Sequence, residues 1–127
     1  MAGEQVLVVE DNEKNMKLFR DVLQASGFAL LEATSGEQAI ELAVEHAPAL
    51  VLMDIHLPDI DGVEALGRLR GEERTASIPV LALTAQAMQG DRERFLAAGF
   101  DGYIAKPVDI MALVGTVKEY CEGGRSE

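Results

Sequence analysis

The stretch Leu50-Val51-Leu52-Met53 is wholly apolar and stops at a carboxylate, Asp54. A run this short, apolar at every position, fits a strand buried on both faces, the usual condition of a parallel sheet. Asp54 then stands at the carboxyl end of that strand. A stretch rich in turn formers, Ile55-His56-Leu57-Pro58-Asp59-Ile60-Asp61-Gly62, comes next. Alone, Asp54 would read as a cap for the next segment. Three more runs repeat the pattern. Val6-Leu7-Val8-Val9 ends in Glu10 and Asp11, a run from Pro79 ends in Thr84, and a run from Gly102 leads to Lys106. Four buried strands therefore deliver three carboxylates, a hydroxyl and an amine to one edge.

The intervening segments have helical spacing. Strands are expected at 5–10, 28–33, 50–54, 79–84 and 102–105. The first helix runs from a cap at Asp11 or Asn12 to about Ser26, with Met16, Phe19, Val22 and Leu23 inward and Gly27 as a stop. The second starts at Thr34 or Ser35, where Ser35 and Gln38 fit a capping box, and runs to about His46. Ala39, Ile40, Ala43 and Val44 face in, and Pro48 bars continuation. A third spans Asp61 or Gly62 to about Gly71, through Leu66 and Leu69. The fourth, roughly 87–98, is polar and carries Gly90, so it is expected to be the most mobile. The last, roughly 108–122, turns Ile110, Leu113, Val114 and Val117 to one side, and 123–127 reads as a frayed tail. Five strands alternating with five helices call for a parallel sheet covered on both faces. Ligands of such sheets sit beyond the carboxyl ends of the strands.

With 127 residues, 48% of them hydrophobic, the chain is long enough for one domain with a substantial core. Its 11 Lys and Arg against 22 Asp and Glu give a net charge of -11, which excludes nucleic acid or anionic membrane as partners held by bulk charge. The single cysteine, Cys121, rules out an intramolecular disulfide. No signal peptide or membrane span is apparent, and a cytoplasmic location is expected.

Crowded carboxylates at Glu10, Asp11 and Asp54 repel one another unless a cation compensates. Oxygen ligands with room for water suit Mg²⁺, and no Cys/His set for zinc exists. A metal held by carboxylates, facing Lys106 and Thr84, is an apparatus for holding a phosphoryl group. Asp54, at its centre, is the best-placed nucleophile.

These pieces resemble the receiver domain of two-component response regulators. The matching stretches are Val9-Glu10-Asp11-Asn12, Leu52-Met53-Asp54-Ile55-His56-Leu57-Pro58 with Asp61-Gly62, Leu83-Thr84-Ala85 and Tyr103-Ile104-Ala105-Lys106-Pro107. The resemblance implies a flavodoxin-like, CheY-like doubly wound sheet of order 2-1-3-4-5. It implies that Asp54 is the phosphoacceptor and that Asp11 and the backbone carbonyl of His56 bind Mg²⁺ with help from Glu10. Thr84 is then the switch hydroxyl, Lys106 the phosphate-binding lysine, Tyr103 the switch aromatic, and the Lys106–Pro107 bond cis. The donor implied is a histidine kinase or phosphotransferase. The output implied is a protein partner at the surface of the fourth helix, fifth strand and fifth helix, with the chain a monomer or weak dimer. Asn15-Met16-Lys17-Leu18-Phe19 and Ala87-Met88-Gln89-Gly90-Asp91 are similar to stand-alone cell-cycle regulators of the DivK type. With no output domain after the last helix, the expected function is signalling by binding rather than turnover.

Two other functions compete. A haloacid-dehalogenase-type phosphohydrolase also uses a strand-end Asp with Mg²⁺, but wants a second acid where His56 stands. A degenerate receiver would serve only as a scaffold, against which the retention of all five site residues argues. The stretch 59–62 faintly resembles a calcium loop, but no suitably spaced Glu follows, and it reads as a turn and helix cap.

Overall fold

A computed structural model describes residues 4–55, 57–84, 89–106 and 109–123, with 89–92 and 122–123 described by their backbone alone. The elements in chain order are β1 (Gln5–Val9), α1 (Glu13–Ala25), β2 (Ala29–Ala33), α2 (Gly36–His46), β3 (Leu50–Asp54), α3 (Gly62–Gly71), β4 (Val80–Thr84), α4 (Gln89–Ala98), β5 (Gly102–Ala105) and α5 (Ile110–Gly123). The strands form one parallel sheet ordered β2-β1-β3-β4-β5, the expected doubly wound order.

The pleat explains why the strands carry no polar alternation. Val6 and Val8, Leu50 and Leu52, and Leu81 and Leu83 pack with Met16, Phe19 and Leu23 of α1 and Leu113 and Val117 of α5. Leu7 and Val9, Val51 and Met53, and Val80 and Ala82 point the other way. They meet Ala39 and Ala43 of α2, Ala65, Leu66 and Leu69 of α3, and Phe95 of α4. Both faces are covered, so every one of these strand positions is apolar. Burial of α1's three residues contributes roughly 1.5–3 kcal/mol apiece before entropy is counted.

Local signals place the helix ends. Asn12, not Asp11, caps α1 by accepting from the Asn15 N–H at 3.1 Å, and Gly27 turns the chain at φ 93. Ser35 caps α2, accepting from the Gln38 N–H at 3.2 Å. Gln38 reaches back one residue beyond the usual box, accepting from the Thr34 N–H at 2.9 Å. Asp61 caps α3 through the Glu64 N–H at 2.7 Å. Gly62 must be glycine, because an added Cβ would lie 2.9 Å from the Asp54 carbonyl oxygen and 3.0 Å from the Ile55 Cα.

Some expectations need correction. Ile110 does not face the core: at the first residue of α5 it is 49% exposed, beside Met111 at 84%. The helix also continues through Gly123 rather than fraying there. β1, β2 and β4 are each one residue shorter than expected, since Glu10, Phe28 and Pro79 flank the ladder. Residues 87–88, the start of the expected fourth helix, and 124–127 of the expected tail lie outside the described residues, as does Val108.

Candidate functional site

Register alone aligns the strand ends. Val9 pairs with Met53, Asp54 with Leu83 and Thr84 with Ala105. Glu10 and Lys106 each follow immediately on a strand. Glu10, Asp54 and Lys106 share the pleat parity of the α1–α5 face, while Thr84 has the opposite parity. Lys106 spans the end of β4 and donates from Nζ to Asp54 Oδ2 at 3.1 Å and to Glu10 Oε1 at 2.8 Å. Its own N–H donates to the Thr84 carbonyl at 2.8 Å. Glu10 and Thr84 are each 1% exposed and Asp54 6%, while Asp11 is open to solvent.

The burial of two acids beside one amine has electrostatic consequences. Removal from water pushes the Glu10 carboxyl above its ordinary range; Lys106 opposes this and the neighbouring Asp54 carboxylate adds to it. The main-chain N–H of Asn12 at 3.2 Å and the Asn15 amide at 3.4 Å also donate to Glu10, two partners that motif reading did not single out. Burial works against the charge on Lys106, but Glu10 and Asp54 outweigh it and hold the ammonium above its usual value.

Carboxylate oxygens of Glu10, Asp11 and Asp54 lie within 4.8 Å of one another. An octahedral cation with oxygens at about 2.1 Å needs ligands at such separations. The donor set is all oxygen, and the exposure of Asp11 leaves room for water, so these residues fit Mg²⁺. The His56 carbonyl and the Lys106–Pro107 bond lie outside the described residues. Tyr103 is half-buried against the α2–α4 side of the core and lines two hollows, one between α4, β5 and α5 with Leu96 and Tyr120, the other between β5 and α5 with Ala112 and Leu113.

The profile of the response regulator receiver domain matches residues 6–118. The chain is 48% identical over 115 residues to the polar-differentiation response regulator DivK of Brucella ovis, covering 91% of this chain and 94% of that one. Among solved structures it is similar to the receiver domain of a sensor histidine kinase from Pseudomonas aeruginosa, solved with magnesium in its active-site cleft. That match has a TM-score of 0.88 and 36% identity, over 95% of this chain and 99% of that one. It is also similar, with a TM-score of 0.88 and 28% identity over 97% and 92% of the two chains, to the receiver domain of Saccharomyces cerevisiae Ssk1 bound to the phosphotransfer protein Ypd1. Among the described residues no helix is long and apolar enough to cross a membrane.

Proposed function

This chain belongs to the response regulator receiver domain family, a component of two-component signal transduction, and we propose that it is a stand-alone receiver that takes a phosphoryl group onto Asp54. The observation that carries this reading is the double contact of Lys106 with Asp54 and Glu10 across the sheet edge. Glu10, Asp11 and Asp54 would hold Mg²⁺, with the His56 carbonyl as a further ligand; when bound it neutralises charge on the carboxylates and the phosphoryl oxygens.

The chain's own residues supply the rest. Asp54 attacks phosphorus as the donor's P–N bond breaks, and the electron pair leaves with the imidazole of a histidine kinase or phosphotransferase. Lys106 pairs with the phosphoryl charge, and the Thr84 hydroxyl donates to one of its oxygens. The new group adds charge and acceptor oxygens at a buried place. Thr84 moves toward it, Tyr103 turns into the space released, and the α4–β5–α5 surface changes for a protein partner. Tyr103's position against both hollows supports this route. The likeness to the Ssk1 receiver supports a phosphotransfer donor, and that to DivK supports a role in cell polarity or the cell cycle. The unit works as one domain in the cytoplasm, monomeric or weakly dimeric, with no substrate turnover beyond its own phosphate.

The test is incubation with acetyl phosphate and Mg²⁺, read by intact mass. The wild type should gain one phosphoryl group and Asp54→Asn none. A stable phosphoryl adduct on Asp54→Asn would refute the assignment.

A further inference from the structure

The chain after Asp54 is held from a distance. Asp59, in the stretch 57–61 that leads into α3, accepts from the Gly36 N–H at 2.8 Å and the Glu37 N–H at 2.9 Å, the first two amides of α2. These amides have no partner within their own helix, and Ser35 serves only the Gln38 N–H. Donation from Glu37 and Gly36 holds the Asp59 carboxyl down at about 2, so it is an anion at any working pH. The neighbouring contact is equally close, since a Cβ on Gly36 would meet Ile60 Cγ1 at 2.4 Å. The base of the loop is closed separately, by the Gly62 N–H on the Ile55 carbonyl at 3.0 Å. Asp59 therefore adds a second, charged anchor to that stretch.

We propose that Asp59 is a positioning residue of the phosphoacceptor site. By tying the stretch ahead of α3 to the start of α2 it holds that stretch in place and raises the site's affinity for its divalent cation. This rests on the reading of Asp54 as a metal-assisted phosphoacceptor. Without the tether, cation binding must itself order the loop, which costs conformational entropy. The effect belongs to metal binding and not to the transfer step, because Asp59 reaches neither Lys106 nor Asp54.

The test is calorimetric titration of the full 127-residue chain with Mg²⁺. Asp59→Ala should weaken Mg²⁺ roughly 5-fold, below the roughly 10–100-fold that partners bonded directly to metal ligands supply, because Asp59 acts through the backbone. Asp59→Asn, which keeps one acceptor oxygen, should recover part of the loss. The phosphorylation rate of each at saturating Mg²⁺ should match the wild type. Glu37→Gln, which breaks only the 2.6 Å ion pair to Arg68, should leave Mg²⁺ affinity unchanged. If Asp59→Ala fails to fold, Asp59→Asn carries the comparison with a smaller loss. Affinity equal to wild type in the Asp59 variants overturns the inference alone, as does an equal loss in Glu37→Gln. A wild type that binds no Mg²⁺ overturns the reading of the site as well.

Discussion

At the residue scale, Lys106 is the counter-charge for two buried acids. Lys106→Met would leave Glu10 and Asp54 facing each other uncompensated. Mg²⁺ should then bind a few-fold more tightly, because a competing cation is gone. Phosphorylation of Asp54 should slow by about 100-fold or more, because a preorganised charge at the phosphoryl oxygens is lost. Calorimetry and intact-mass kinetics separate the two, and a variant that loses metal affinity and rate together would contradict this role. Gly62→Ala tests the backbone instead. Its Cβ would meet main-chain atoms of Asp54 and Ile55 that cannot swing aside, so it should lose about 1–3 kcal/mol in chemical denaturation. The meeting of Glu10, Asp11, Asp54 and Lys106 at one edge could be expected from the sequence, because each follows or ends a run of apolar residues. Asp59 could be read only as a local turn former. Its partners lie 22 and 23 residues away, and no periodicity announces a contact between two loops.

At the element scale, the existence of five parallel strands followed from unbroken apolar runs and strict alternation, while their order followed only from the family resemblance. In α5, Ile110 keeps helical phase with Leu113 and Val117 but, as the helix's first residue, stays 49% exposed. Phase marks a face and not how far the opposing surface extends. For α4 the weak pattern corresponds to weak attachment. Phe95 is buried, Leu96 is 43% exposed, and positions 97 and 98 face solvent. Amides of 93–98 should exchange with deuterium well before those of α1, whose Met16, Phe19 and Leu23 are all buried. Equal protection in the two helices would count against a pliable fourth helix as the element biased by phosphorylation.

At the scale of the whole molecule, the sheet has two rims with different duties. At the rim opposite Asp54, Arg70 donates to the Ile78 carbonyl at 2.6 Å and to Asp101 Oδ2 at 2.8 Å. The same Asp101 oxygen accepts from the Val80 N–H at 2.8 Å, and the Tyr120 hydroxyl donates to the Asp101 carbonyl at 3.0 Å. This knot joins α3, β4, β5 and α5, and Asp101's side chain is only 5% exposed. Asp101→Ala removes the carboxylate that balances the Arg70 guanidinium and should lower stability by about 3–5 kcal/mol, measured by urea unfolding, while Mg²⁺ affinity holds in the folded protein. This pair was not legible in the sequence, because an isolated Arg and Asp 31 residues apart look like any surface charges. Among the described residues, the knot shares no side chain with the cluster around Asp54. If Asp54 carries phosphate as proposed, evolution can retune the chemistry of one rim, changing which donor is heard or how long a message lasts, while the opposite rim keeps the protein in one piece.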